Sequence, residues 1–94
     1  MKELTLFYLR DCPYCVNARR ALHELEQEDP AYGEIPIRWI EESEQKTLAD
    51  SYDYYYVPSV FLGAEKLWEA RPADGYAAIR RKLRQALDTA RAKG

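Results

Sequence analysis

The sequence predicts an α/β fold: a four-stranded mixed sheet flanked by three helices, in the order β-α-β-α-β-β-α. Three observations predict it. An apolar run, Leu4 to Leu9, leads into a long stretch with helical periodicity and then into a second alternating run, Ile35 to Ile40, which reads as a strand–helix–strand crossover. Val60-Phe61-Leu62, Gly63-Ala64-Glu65 and Lys66-Leu67-Trp68-Glu69 read as strand, turn and return strand. Apolar residues between Tyr76 and Ala90 recur on one helical face. The crossover makes a parallel pair, right-handed by the usual rule, and the hairpin makes an antiparallel one, so the sheet must be mixed.

Composition bounds the rest. Ninety-four residues suit one small domain, 1–94. Apolar residues make up 47% and charged residues 32%, a balance expected of a soluble globular chain and not of a disordered one. A net charge of −2 argues against a general nucleic-acid surface. No apolar run reaches membrane-spanning length, and Met1-Lys2-Glu3-Leu4 has no signal-peptide core or cleavage site, so a cytoplasmic protein is expected.

The first strand, Leu4-Thr5-Leu6-Phe7-Tyr8-Leu9, runs into Arg10-Asp11-Cys12-Pro13-Tyr14-Cys15, which contains both cysteines of the chain. A Cys-x-x-Cys between a strand and a helix is the arrangement used for dithiol–disulfide chemistry. Pro13 suits the first helical position, where its missing N–H is not needed, and this puts Cys12 at the N-cap. The free N–H groups and positive dipole end there favour a thiolate, the form that attacks disulfides. Cys15, about one turn on along the same face, is expected to be the less exposed sulfur. Cys12 is therefore read as the nucleophile and Cys15 as the resolving thiol. Arg10 adds positive charge nearby and Asp11 opposes it. Zinc is a poor alternative, because the chain offers only His23 beyond these two sulfurs, short of four ligands. A structural disulfide here would close no long loop.

The first helix is predicted from Pro13 to about Glu28, burying Cys15, Ala18, Leu22 and Leu25, flanked by Val16 and Ala21, with His23 exposed. Asp29-Pro30-Ala31-Tyr32-Gly33 reads as a loop. The second strand, Ile35 to Ile40, carries Pro36 and so belongs at a sheet edge. A short helix from Glu44 to Tyr52 follows, with Ser43 as N-cap and Leu48, with Ala49 or Tyr52, inward. Asp53-Tyr54-Tyr55-Tyr56-Val57-Pro58 precedes the hairpin; its tyrosines either pack the helix end or wall a substrate groove beside Cys12. Pro72-Ala73-Asp74-Gly75 opens the last helix, with Asp74 as N-cap and Tyr76, Ile79, Leu83, Leu87 and Ala90 inward. Arg80, Arg81, Lys82, Arg84, Arg91 and Lys93 form its other face, either a solvated surface or a dock for an acidic partner.

With these motifs in view, the chain resembles the glutaredoxin branch of the thioredoxin superfamily. Cys12-Pro13-Tyr14-Cys15 is similar to the tetrapeptide of dithiol glutaredoxins, and Val57-Pro58 followed by Val60-Phe61-Leu62 resembles the family's second motif. The resemblance implies a thioredoxin fold and a cis peptide before Pro58, set against the cysteine pair. It implies that the Val57 backbone pairs with substrate like an added strand. Pro13, Tyr14 and Tyr56 would then line the approach to Cys12.

The sequence departs from that pattern in two places. Leu9 stands where the family has a basic residue, with Arg10 one step later, and Trp68-Glu69 stand where it has a glycine pair. Both departures count against tight glutathione binding, with Trp68 crowding the substrate face. Trp68-Glu69-Ala70-Arg71-Pro72 instead resembles the glutaredoxin-like redoxins that serve ribonucleotide reductase and take electrons from thioredoxin reductase.

The expectation is a monomeric thiol–disulfide oxidoreductase acting on disulfide-bearing proteins or small molecules. It needs no bound cofactor or metal and is reset by glutathione or by thioredoxin reductase, with no nucleic acid or membrane partner. The alternative from another class is a dimeric module holding an iron–sulfur cluster through Cys12 of each chain and glutathione.

Overall fold

The computed structural model describes residues 2–93. β1 (Leu4–Tyr8) leads into α1 (Pro13–Glu28), and β2 (Ile37–Glu41) into the short α2 (Lys46–Asp50). β3 (Ser59–Leu62) and β4 (Glu65–Glu69) form the hairpin, and α3 (Tyr76–Lys93) closes the described chain. The sheet order is β2-β1-β3-β4. β1 and β2 are parallel, in the register Leu4 opposite Ile37, while β1–β3 and β3–β4 are antiparallel. The predicted mixed sheet and element order are therefore observed.

Alternation along β1 decides what lies on each face. Leu4 and Leu6 point one way and Phe7 the other, as a period of two requires. On the first face Leu4, Leu6, Val60, Leu62 and Trp68 pack against Ala18, Ala21, Leu22 and Leu25 of α1 and Ile79, Leu83, Leu87 and Ala90 of α3. On the second face Phe7, Ile40 and Phe61 meet Ala49 of α2, with Tyr52 and Tyr54 packed around them. The Phe7 ring lies 4.7 Å from that of Tyr52, 4.8 Å from Tyr54 and 5.8 Å from Phe61. Two long helices thus cover one face and the short helix the other.

Local chemistry explains the boundaries, including those that differ from expectation. β2 is an edge strand, but it begins at Ile37. Pro36 has no N–H to give, and its carbonyl accepts from the Leu4 N–H at 2.9 Å. Asp29 to Gly33 is not an open loop: Pro30–Glu34 forms a 3₁₀ turn whose first free N–H, at Ala31, is capped by Asp29 Oδ1. Tyr32 is buried there, and its hydroxyl donates to Asp88 Oδ1 of α3 at 2.6 Å. Val16 does not flank the buried stripe of α1; it is 57% exposed, one step of about 100° beyond Cys15.

Two expected caps are also corrected. Ser43 does not cap α2. Its N–H and hydroxyl both donate to Glu41 Oε1, at 2.7 and 2.6 Å, so the helix starts later, after Gln45. Asp74 does not cap α3; its carboxylate turns back to the Arg71 N–H at 3.0 Å, and the Gly75 carbonyl accepts from Ile79 at the first turn. Gly63, at φ 60°, occupies the left-handed position that the two-residue hairpin turn demands.

The basic face of α3 is partly answered from within. Arg80 pairs with Glu24 and Glu28 of α1, Arg91 with Asp29, and Lys93 with Glu65. These partners tie α3 to neighbouring elements, so half of the predicted cationic face is not an open docking surface.

Candidate functional site

Cys12 occupies the N-cap of α1, with φ −82° and ψ 119°, and Pro13 follows at the first helical position. The capping geometry arises as the residue types dictate: proline fixes the first turn, and the Cys12 carbonyl accepts from Val16 N–H at 3.0 Å. Its own N–H donates to Leu9 O at 3.3 Å, curling the chain between β1 and α1. Cys12 is half-buried, Cys15 is buried, and both thiols are free. Cys15 faces the core with Ala18 and Leu22, one turn further along. Burial pushes the Cys15 thiol up to about 12; the neighbouring Cys12 and the Glu42 charge add to it, and a backbone contact at Leu9 partly offsets it.

Across from Cys12 lies the segment before β3. The Val57–Pro58 peptide is cis, Pro58 is fully buried, and Cys12 Sγ is 3.6 Å from the Val57 carbonyl oxygen. The Val57 N–H makes no backbone hydrogen bond among the described residues. Val57 therefore presents a peptide edge directly beside the sulfur, the half-ladder that an incoming extended chain can complete.

Three carboxylates at the ends of strands hold the loops around this point. Glu41, a buried residue at the end of β2, accepts from Arg10 N–H at 3.2 Å as well as from Ser43, fixing the cysteine loop. Glu42 accepts from the Tyr54 hydroxyl at 2.6 Å, and its N–H donates to Tyr8 O at 2.9 Å. Glu69, at the end of β4, accepts from the N–H groups of Tyr55 and Tyr56 at 2.8 and 2.7 Å, and from Lys66 Nζ at 2.7 Å. Sequence reading missed all three. Spacing and residue type assign none of them to these loops. The available signal was the acidic residues at the ends of β2 and β4, which by themselves do not name the loops they will reach.

The other expected site residues divide. Pro13, Val57 and Pro58 stand together with Cys12. Tyr14 is half-buried against the main core, and its hydroxyl donates to Pro72 O at 2.6 Å, joining the start of α1 to the β4–α3 connection. Tyr56 is exposed, in the loop just before Val57. Arg10 is turned to acids, its guanidinium paired with Glu44 and 3.9 Å from Glu41 Oε2. It also lines a cavity of about 170 Å³ together with Cys15, Val16 and Arg19. Trp68 is the clearest correction. The ring is only 8% exposed and belongs to the core between sheet and helices; its outer rim meets a separate cavity near Arg71 and Lys82, not the surface at Cys12. Position 68 pairs with buried Val60, so it points inward by strand alternation.

Among the described residues no group of three or more His, Cys, Asp or Glu side chains converges as a metal site. No helix among them is long and apolar enough to cross a membrane.

Comparison with known proteins follows this geometry. The glutaredoxin family model matches residues 4–67, a span that takes in both cysteines and the Val57–Pro58 peptide. No curated protein matches in sequence. Among solved structures, the human ERp44 zinc-bound form aligns with a TM-score of 0.59 at 17% identity. The alignment covers 90% of this chain and only 27% of that one. At that identity the likeness is one of fold, and the fold is thioredoxin-like.

Proposed function

This chain belongs to the glutaredoxin family, and from that premise we propose that it is a dithiol–disulfide oxidoreductase with Cys12 as nucleophile and Cys15 as resolving thiol. One observation carries the reading. The half-exposed sulfur of Cys12 sits at a helix N-cap, 3.6 Å from a peptide edge that is open to pairing, while the second sulfur is buried a turn behind it. A nucleophile needs access and a resolving thiol needs protection from competing oxidants, and the two environments differ in that sense.

The exchange balances without a cofactor. The Cys12 thiolate attacks one sulfur of a substrate disulfide; a Cys12–substrate disulfide forms and the other substrate sulfur leaves as thiolate. Cys15 loses its proton and attacks the Cys12 sulfur; the Cys12–Cys15 disulfide forms and the second substrate thiolate leaves. Two electrons and two protons pass from the dithiol to the substrate. The substrate is a disulfide-bearing protein whose extended segment pairs with Val57.

A thiol reductant supplying two electrons, one dithiol or two monothiols, must then reset the pair. Leu9, Trp68 and Glu69 do not supply the basic and glycine positions that glutathione would use, so thioredoxin reductase is the proposed electron source. The test is NADPH consumption by the oxidised protein with each reductase system. Turnover with thioredoxin reductase alone is expected. Equal turnover with glutathione and glutathione reductase would overturn the assignment of reductant while leaving the dithiol mechanism in place.

A further inference from the structure

We propose that Glu69 is the positioning residue of the substrate-pairing edge: its carboxylate holds the Tyr55–Tyr56 backbone so that Val57 stays in register with Cys12. The inference rests on the proposed dithiol reading and deepens it.

The argument starts from what does not hold the loop. Between Tyr54, whose ring stacks on Phe7, and the buried Pro58 lie three residues, of which only Val57 packs its side chain against the core. Tyr55 is 93% exposed and Tyr56 is 52% exposed, so packing of their rings contributes little to the position of their backbone. The backbone itself must be tied, and it is. Tyr55 and Tyr56 donate successive N–H groups to one oxygen of Glu69, at 2.8 and 2.7 Å. The Tyr56 carbonyl accepts from the hydroxyl of Ser59, which is fully buried. The Pro58 carbonyl accepts from Ala70 N–H at 3.0 Å, one residue beyond Glu69.

Apart from the Ser59 hydroxyl and the Cys12 thiol at the Val57 carbonyl, these ties come from the end of β4, and none uses the Val57 N–H. Glu69 is itself fixed. Its second oxygen accepts from Lys66 Nζ at 2.7 Å, and its side chain is only 16% exposed. Ser59 and Glu69 face each other in the β3–β4 ladder, so the carboxylate is carried on rigid strand rather than on loop. Charge-assisted bonds to two adjacent amides are stronger and more directional than neutral ones. Partial burial raises the proton affinity of Glu69, but donation from Lys66, Tyr56 and Tyr55 outweighs it and keeps the group below the usual carboxylate range.

A loosened loop should harm pairing with a peptide more than it harms the sulfur chemistry. The experiment is single-turnover oxidation of the reduced protein by excess insulin and by cystamine, a disulfide with no peptide backbone, followed by acid quench and thiol alkylation. Glu69→Ala is expected to raise the half-saturating insulin concentration about tenfold, the loss of one to two hydrogen bonds, while the cystamine rate falls far less. The double variant Lys66→Met with Glu69→Gln keeps a neutral acceptor for the two amides and is expected to recover most of the insulin affinity.

Equal losses on both disulfides would make Glu69 merely structural and overturn the proposal. So would an unchanged insulin half-saturation, or a double variant that regains thermal stability without regaining insulin affinity. Cys12→Ser is run alongside. Oxidation of its remaining thiol at the parent rate would sink the dithiol reading itself; an inactive Cys12→Ser with no insulin–cystamine split in Glu69→Ala would sink only the role of Glu69.

Discussion

The Cys12 sulfur lies 3.6 Å from the Val57 carbonyl oxygen, across 45 positions of sequence. This contact joins the start of α1 to the segment before β3. A thiol in that position donates to the carbonyl, and under the proposed mechanism the same sulfur is the one that attacks the substrate disulfide. Replacing Cys12 with serine should therefore abolish disulfide reduction. Cys15→Ser should accumulate Cys12–substrate adducts, visible as added mass that a reductant removes. Full turnover by Cys12→Ser would refute the assignment of the nucleophile.

The Cys15 thiol is pushed up to about 12, chiefly by burial, so near neutrality it is protonated. Its thiolate fraction grows about tenfold per pH unit below the pKa, and the second step should accelerate accordingly from about pH 6 to pH 9. Rapid-quench measurement of mixed-disulfide decay checks this. A flat profile would mean that a neighbouring group takes the proton within the step.

Tyr14 lies between the two cysteines in sequence, yet its hydroxyl is spent on Pro72 O at 2.6 Å. Tyr14→Phe should cost about 0.5–1.5 kcal/mol of stability, the worth of one neutral hydrogen bond, with an unchanged denaturant m-value. A loss of activity without a loss of stability would place the hydroxyl in substrate contact instead.

Phe7 is fully buried and touches the rings of Tyr52, Tyr54 and Phe61. Phe7→Ala should cost about 3–5 kcal/mol through lost burial and the cavity left behind. Because Tyr54 leads into the Tyr55–Val57 loop, hydrogen exchange there should rise with it. A global loss below about 1 kcal/mol would show that the α2 face repacks around the gap.

Glu41 is held below the usual carboxylate range, first by the Ser43 hydroxyl and then by the N–H groups of Ser43 and Arg10, against the effect of its burial. A depressed carboxylate stabilises the fold above its unfolded value of about 4.3 and loses that contribution as pH falls through the folded one. Glu24 and Glu69 share the same sign. Thermal stability should therefore decline below about pH 4.3, and Glu41→Gln should make the decline shallower. An equally steep acid limb in the variant would assign it to the other two carboxylates.

Much of this was legible because it is local. Pro13 names the first helical position and so places Cys12 at the cap. Pro36 names an edge. Alternation in β1 and the turn at Gly63 fix faces and hairpin. Each of these acts through the φ angle, the missing N–H or the side-chain period of a few adjacent residues, which composition and spacing record directly. Ser43 and Asp74 mark where that reasoning fails. Both are good capping types, but Ser43 is captured by the Glu41 carboxylate and Asp74 by the Arg71 N–H, each only a few residues away.

The sequence by itself determined the order of elements, the mixed sheet, the two sulfurs a turn apart and the proline beside them, because backbone preference and burial period are written into neighbouring residues. Only the tertiary structure decided that Trp68 is buried between sheet and helices, that Arg10, Arg80 and Arg91 are answered by acids from other elements, and that Glu69 reaches the amides of Tyr55 and Tyr56. Those outcomes depend on which charges and unpaired N–H groups the folded chain brings within hydrogen-bond reach, and a hydrogen bond is too short-ranged to leave a trace in residues that lie far apart along the chain.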